Sequence, residues 1–151
     1  FSSNNSIYGI NGKIGNIFSL NNNDILTDDK FSLGGRSLRG FDIYGVGPRN
    51  SRTSYIGGNN LAVLKLDYSY EITRQSDFPF YLNIFNDYGL VWENKTTPTQ
   101  SDNNIRSSIG FGIKYYSPVG PIGFSWGFPI MDEEYDIKRM FLFSVGNLDW
   151  N

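Results

Sequence analysis

Apolar and polar residues alternate with a period of two along most of this chain. Between residues 60 and 72, in NLAVLKLDYSYEI, Ala62, Leu64, Leu66, Tyr68, Tyr70 and Ile72 fall on one face and Lys65, Asp67, Ser69 and Glu71 on the other. Such alternation predicts a β-strand, because successive side chains of an extended backbone point to opposite sides. FYLNIFNDYGLVW repeats it: Phe80, Leu82, Ile84, Tyr88, Leu90 and Trp92 oppose Asn83, Asp87 and Gly89, and Asn86 interrupts the apolar side. In IRSSIGFGIKYY, Ile105, Ile109, Phe111, Ile113 and Tyr115 oppose Arg106, Ser108, Gly110, Gly112 and Lys114. In GPIGFSWGFPI, Ile122, Phe124, Trp126, Phe128 and Ile130 oppose Gly123, Ser125 and Gly127. The intervening SPVG, with Pro118 and Gly120, predicts a tight turn. Two further strands are predicted near residues 7 to 20 and 138 to 147, with long polar loops over 21 to 59 and 93 to 104.

The character of the two faces bears on the fold class. One face is large, apolar and flanked by aromatics; the other mixes glycine, serine and charge. A transmembrane β-barrel calls for that arrangement, with lipid outside and a polar lumen inside. Tyr70, Trp92, Tyr115 and Trp126 would then sit near strand ends at the membrane interfaces. A water-soluble β-sandwich with half-buried strands accounts for the alternation equally well.

Composition narrows the chemistry. The chain has 151 residues, enough for one domain with its own core. It has no cysteine and no histidine, which excludes disulfide scaffolds, thiolate or imidazole metal sites and Ser-His-Asp or Cys-His nucleophile systems. No catalytic, cofactor or metal site is expected. The formal net charge is −2 and no Lys/Arg run occurs, so a nucleic-acid partner has no electrostatic footprint. Aromatic residues make up 17% and glycines number 17, in keeping with many short strands and turns. No apolar run approaches the roughly 18 residues of a spanning helix, and the residues give no expectation of a charged-then-apolar signal peptide. Opening on Phe1 rather than Met, the chain reads as a segment of something longer.

One stretch is neither strand nor helix in character. GGRSLRGFDIYGVGPR, residues 34 to 49, spends five glycines and three arginines on sixteen positions. FSLGGRSLRGF at 31 to 41, followed by GVGPR at 45 to 49 and GGNNLAV at 57 to 63, resembles the signature loop of BamA-type outer-membrane insertases. FNDYGLVW at 85 to 92, the run from Ile105 to Ile130 and FLFSVG at 141 to 146 continue the resemblance in the same order. It implies an all-β fold: a transmembrane antiparallel barrel, of which residues 1–151 supply about the last six of sixteen strands, with the signature loop at about 21–59 directed into the lumen. The family's loop motif would be Leu38, Arg39, Gly40 and Phe41. The glycines allow tight turns and close backbone approach, and Arg39 can anchor the loop through bidentate bonds to carboxylates.

Alternation turns Asp67 and Asp87 into the lumen, and the resemblance makes them the expected partners of Arg39. Taken alone, Arg39 is equally a solvated loop arginine, and Asp67 with Asp87 could be a glycosidase-type carboxylate pair. Arg36 and Arg49 read as loop-surface charges and are assigned no role. Asp132, Glu133, Glu134 and Asp136 read as a solvated turn between the last two strands, without the ligand spacing of a calcium loop.

The resemblance implies a non-enzymatic insertase in the bacterial outer membrane, embedded in the lipid bilayer. Its partners would be nascent outer-membrane β-barrel proteins and, through periplasmic domains, accessory assembly lipoproteins. Phe141, Phe143, Val145 and Gly146 would belong to a lateral seam at the last strand, where an exposed strand edge templates the client. A related polypeptide-secretion pore, a passive porin-like channel and a soluble carbohydrate-binding sandwich are the rival readings. The end, FLFSVGNLDWN, places Trp150 before Asn151 with one residue more than the family pattern, so the limit of the last strand is open.

Overall fold

The computed structural model describes residues 2–3, 5–20, 25–50, 54–73, 78–93, 103–118 and 120–146. Its elements are β1 (Ser2–Ser3), β2 (Ser6–Asn16), a single 3-10 turn (Thr27–Asp29), β3 (Gly40–Phe41), β4 (Asn60–Glu71), β5 (Phe80–Trp92), β6 (Arg106–Ser117), β7 (Gly120–Met131), β8 (Lys138–Arg139) and β9 (Phe141–Val145). Seven strands form one antiparallel sheet in the order β1-β2-β4-β5-β6-β7-β9, and β3 pairs with β8 apart from it. Each long strand thus lies beside its neighbour in sequence, an up-and-down meander. Within the described residues the sheet is open, with β1 and β9 at its edges.

Strand length separates the two architectures left open by the alternation. β2, β4, β5, β6 and β7 run 11, 12, 13, 12 and 12 residues, about twice the common strand length in globular proteins and enough to cross a bilayer at a tilt, which takes about 9–11. A sandwich also needs a second sheet over the apolar face. Instead that face is bare: Ile10 and Ile14 are 79% and 87% exposed, and Leu64, Ile84, Ile109, Phe111, Phe124 and Phe128 are exposed as well. The opposite face is the buried one, and it holds Lys65, Ser69, Asn83, Asp87, Arg106, Ser108 and Ser125. Polar residues inside and apolar residues outside is the inversion that lipid imposes.

Three details depart from the sequence reading. The first long strand stops at Asn16, where Asn16 donates to the Asn60 side chain at 2.6 Å; β4 starts there, and one further backbone bond, from the Ile17 N–H to the Asn59 carbonyl at 2.8 Å, ends the ladder. The final strand is split, since Lys138–Arg139 pair with the loop while Phe141–Val145 pair with β7. Trp126 lies in the middle of β7 rather than near its end, stacked on Phe111 at 5.4 Å and beside Phe141 at 5.4 Å. Near the end of β7 the register with β6 slips, so that Ser107 faces Met131 and Ser108 faces Pro129. A proline, lacking an N–H, is tolerated in a sheet at such an irregularity.

Candidate functional site

The long loop after β2 is not a solvated connection. It folds back over the inner face of the sheet and carries most of the apolar core: Leu33, Leu38, Phe41 and Val46 pack with Leu61 and Val63 of β4 and Val91 of β5, and Phe31 closes the edge. The inner face is therefore not purely polar. Leu61, Val63, Phe85 and Val91 share the parity of Asp67 and Asp87, and these apolar residues on a polar face were the available signal that something apolar docks there. Bridges Phe31↔Gly58, Leu33↔Val46 and Arg49↔Tyr55 fold the loop on itself. Lys30 pairs with the buried Glu93 at 2.6 Å, and Tyr55 donates its hydroxyl to the Phe31 carbonyl at 2.8 Å. Burial pushes the Tyr55 phenol above its ordinary value.

Within this core the motif Leu38–Phe41 places its two apolar members in the packing and turns Arg39 toward β4 and β5. The structure brings Arg39 to both predicted carboxylates. Its Nε and Nη2 donate to Asp87 at 2.7 and 2.5 Å, its Nη1 and Nη2 donate to Asp67 at 2.9 and 3.2 Å, and its backbone N–H donates to Asp87 at 3.1 Å. Both carboxylates are thus held by two bonds, Asp87 side-on through Nε and Nη2 and Asp67 end-on through Nη1 and Nη2, the forked geometry in which a guanidinium bonds strongly. The Phe85 ring lies 3.5 Å from the guanidinium carbon, a cation–π contact that the sequence reading missed.

The Arg39 and Asp87 side chains are fully buried, and that of Asp67 is 13% exposed. Asn83 also donates to Asp67 at 3.2 Å, and Lys65, opposite Asp87 on the ladder, donates to the Arg36 carbonyl at 2.6 Å. Two cations therefore sit with two carboxylates, the balance that a desolvated cluster requires. The guanidinium engages all four carboxylate oxygens of the pair. Asp67 lies seven residues along β4 from Asn60, so the loop descends about 23 Å inside the sheet at roughly 3.3 Å per residue.

Backbone crowding explains the glycine of the motif. Gly40 has φ +96°, and a Cβ there would lie 3.1 Å from the Gly127 carbonyl carbon. A Cβ on Gly127 would in turn meet the Gly40 nitrogen at 2.6 Å. Glycine at both positions lets the loop lie directly on β7. From there Gly40 and Phe41 pair with Arg139 and Lys138.

Two sequence readings need correction. Arg49 is buried, not a surface charge; it donates to the carbonyls of Tyr44 at 2.9 Å and Gly45 at 3.0 Å and closes the loop's second turn. The acidic stretch is not simply a solvated turn. Asp136, 3% exposed at its side chain, receives two bonds from the buried Arg106 at 2.7 and 3.3 Å. Asp132 pairs with Lys138 at 2.5 Å, and Glu133 accepts from Asn104 at 2.8 Å. Arg36 is exposed at the loop tip.

At the last strand Phe141, Phe143 and Val145 project from the outer face, 45%, 52% and 52% exposed, while Ser144 is buried. Gly146, just past the strand, donates to the Pro121 carbonyl at 2.9 Å. Among the described residues the far edge of β9 has no strand beside it. Trp150 and Asn151 lie outside the described residues.

The chain matches the Omp85 superfamily domain over residues 1–148. It is 29% identical over 128 residues to the outer membrane protein assembly factor BamA of Nitratidesulfovibrio vulgaris, an alignment covering 82% of this chain and 16% of that protein. To a SAM50-like protein of Schizosaccharomyces pombe it is 31% identical over 137 residues, covering 86% of this chain and 29% of that one. Among solved structures it is similar to BamA from Haemophilus ducreyi lacking POTRA domains 1–3, with a TM-score of 0.77, 24% identity, and coverage of 92% of this chain and 31% of that one. That last likeness is one of fold. The chain spans less than a third of the length of each of these proteins.

Proposed function

The chain belongs to the BamA family of the Omp85 superfamily, proteins of the outer membrane, and from that premise we propose that it is the C-terminal part of a barrel that assembles other β-barrel proteins into that membrane. The observation that carries the reading is the loop: Leu38–Phe41 lies inside the sheet, with Arg39 held by Asp67 and Asp87. A passive channel has no need to sink a charged loop tip into its own wall. A device whose wall must open and reseal needs a brace that keeps the remaining strands in register.

On this reading the present six long or edge strands, β2, β4 to β7 and β9, are the last of the full barrel. The open edge of β9 is one side of a lateral seam, where a nascent strand adds by backbone hydrogen bonding. Phe141, Phe143 and Val145 face lipid beside it. The work is non-enzymatic: the driving force is the client's own burial of apolar surface and pairing of backbone groups. Nascent outer-membrane proteins are the clients, and accessory lipoproteins act through periplasmic domains.

The test is insertion of a urea-unfolded β-barrel protein into liposomes containing the full-length protein, followed by the client's heat-dependent gel migration. The wild-type protein should accelerate insertion, and Arg39→Ala should slow it. Arg39→Lys should restore only part of the rate, since an ammonium cannot reproduce the fork. A wild-type protein that leaves client insertion at the rate of empty liposomes, while conducting ions with steady open levels, would replace this reading with the channel.

A further inference from the structure

We infer that the connection between β7 and β9 is a clasp that positions the last strand, with Arg106 and Asp136 as its positioning pair; this deepens the insertase reading and rests on it. Every residue from Asp136 to Met140 is attached to something other than its own strand. Asp136 receives the Arg106 fork from β6, and its carboxylate also accepts the Glu133 N–H at 2.9 Å, which closes the turn. Arg106 is itself fixed, donating to the Asn104 carbonyl at 2.6 Å. Ile137 accepts from the Asp42 N–H at 2.8 Å and donates to the Gly45 carbonyl at 3.0 Å. Lys138 and Arg139 pair with Phe41 and Gly40, and Arg139 also meets the Asp42 carboxylate at 3.1 Å. Met140 accepts from the Gly127 N–H at 2.8 Å. β9 begins at the next residue.

The strand that follows is held far more sparingly. β9 pairs with β7 over five residues, Phe141↔Trp126 to Val145↔Ile122, and among the described residues on one side only. A strand tethered at one end and along one edge takes its register from the tether. A hydrophobic contact could hold the approach to β9 in place but would let it slide. A buried bidentate pair does not slide, because displacement by one residue strands both charges without partners. Templating needs that fixity, since a client strand copies whatever register the exposed edge presents.

The clasp also ties the seam to the loop anchor. Arg39 is followed directly by Gly40 and Phe41, the residues paired with Arg139 and Lys138. The route from Asp67 and Asp87 to β9 thus passes through the Arg39 side chain and then along the paired backbone of β3 and β8.

The experiment compares amide hydrogen exchange in β9 and in β4 of the full-length protein, without client, in liposomes. Asp136→Asn should speed exchange over Phe141–Val145 by about tenfold or more, as loss of one partner of a buried pair would, and leave β4 unchanged. Arg106→Lys should give a smaller effect, and Arg106→Gln combined with Asp136→Asn should be no worse than either alone. Client insertion should slow in the same order. Unchanged exchange in β9, or equal acceleration in β4 and β9, overturns the clasp, the second outcome marking the pair as a general stabiliser. If Asp136→Asn does not fold, Arg106→Lys decides by the same contrast. Failure of the wild-type protein to insert any client would sink the insertase reading, while the exchange contrast would still decide the clasp.

Discussion

The irregular loop between β2 and β4 and the long strands divide burial in the reverse of a water-soluble domain. The loop holds four of the seven core residues, Leu33, Leu38, Phe41 and Val46, together with the fully buried Arg39. The strands, regular but for the slip at Ser107/Ser108, leave Ile10, Ile14, Ile84 and Phe143 bare. In water the hydrophobic effect would drive the strands' apolar face together and push the loop outward. Here lipid covers the strands without any folding partner, so the only apolar surface that protein must cover is inside, where Leu61, Val63 and Val91 wait on the inner face. Regularity and burial are separate properties: backbone groups must pair wherever water is excluded, but side-chain packing goes wherever the solvent does not reach.

The contrast breaks hardest at its charged centre. Arg39→Ala leaves Asp87 buried without its partner and should cost about 3–5 kcal/mol, the usual loss for half of a buried pair. The change should appear as a lower temperature for loss of the folded band on an unheated gel. Adding Asp67→Ala should cost less than the sum of the two single changes, because both report on one cluster; full additivity would mean that the loop is held by its apolar residues alone.

On the strands the same charge should be expensive on one face and cheap on the other. Ile10→Lys on the outer face should cost about 2–4 kcal/mol near the bilayer midplane. Asn11→Glu, on the inner face opposite Lys65, should be close to neutral, within about 0.5 kcal/mol. Folding titrations into lipid vesicles measure both, and equal costs would show that lipid does not cover the Ile10 face.

Where loop and strand touch, Gly127→Ala should push the loop off β7 and cost about 1–3 kcal/mol, the range for forced backbone rearrangement. Cross-linking between cysteines placed at positions 41 and 138, where β3 meets β8, should fall with it. Unchanged cross-linking would mean that the close approach of Gly40 is incidental.

The smallest effect belongs to the loop's own interior. Tyr55 is held neutral by burial, so its folded-state value lies above the unfolded one near 10. Its contribution is complete below about pH 10 and is lost as pH rises through the raised folded value. Tyr55→Phe, which removes the bond to Phe31, should cost about 1 kcal/mol at pH 8 and should flatten the alkaline fall in stability. An identical alkaline profile in wild type and variant would assign that fall to other groups.

What the sequence alone determined is whatever depends on period and residue type. The faces of β4 to β7 follow from alternation, which alone places Asp67 and Asp87 on the inner side and Ile109, Phe111, Phe124 and Phe128 on the outer. The stretch from Gly34 to Arg49 was legible as a loop because its glycines and arginines make no sense for a strand, and the resemblance picked out Leu38–Phe41 within it. The resemblance, not the spacing, named Asp67 and Asp87 as the partners of Arg39.

What only the tertiary structure decided is what depends on contacts across long stretches of chain. Arg49 and Asp136 look like surface charges in sequence, since each is flanked by polar or turn-forming neighbours, and both are buried because segments remote in sequence close over them. Phe85 has the parity of an inward residue, but only the tertiary structure sets the Arg39 guanidinium against its ring. The apolar patch of Leu61, Val63 and Val91 was visible as a parity exception, but its cover could not be named. Alternation is a local property of an extended backbone and survives any surroundings, whereas burial of a loop residue is fixed by which distant segment the chain brings to it.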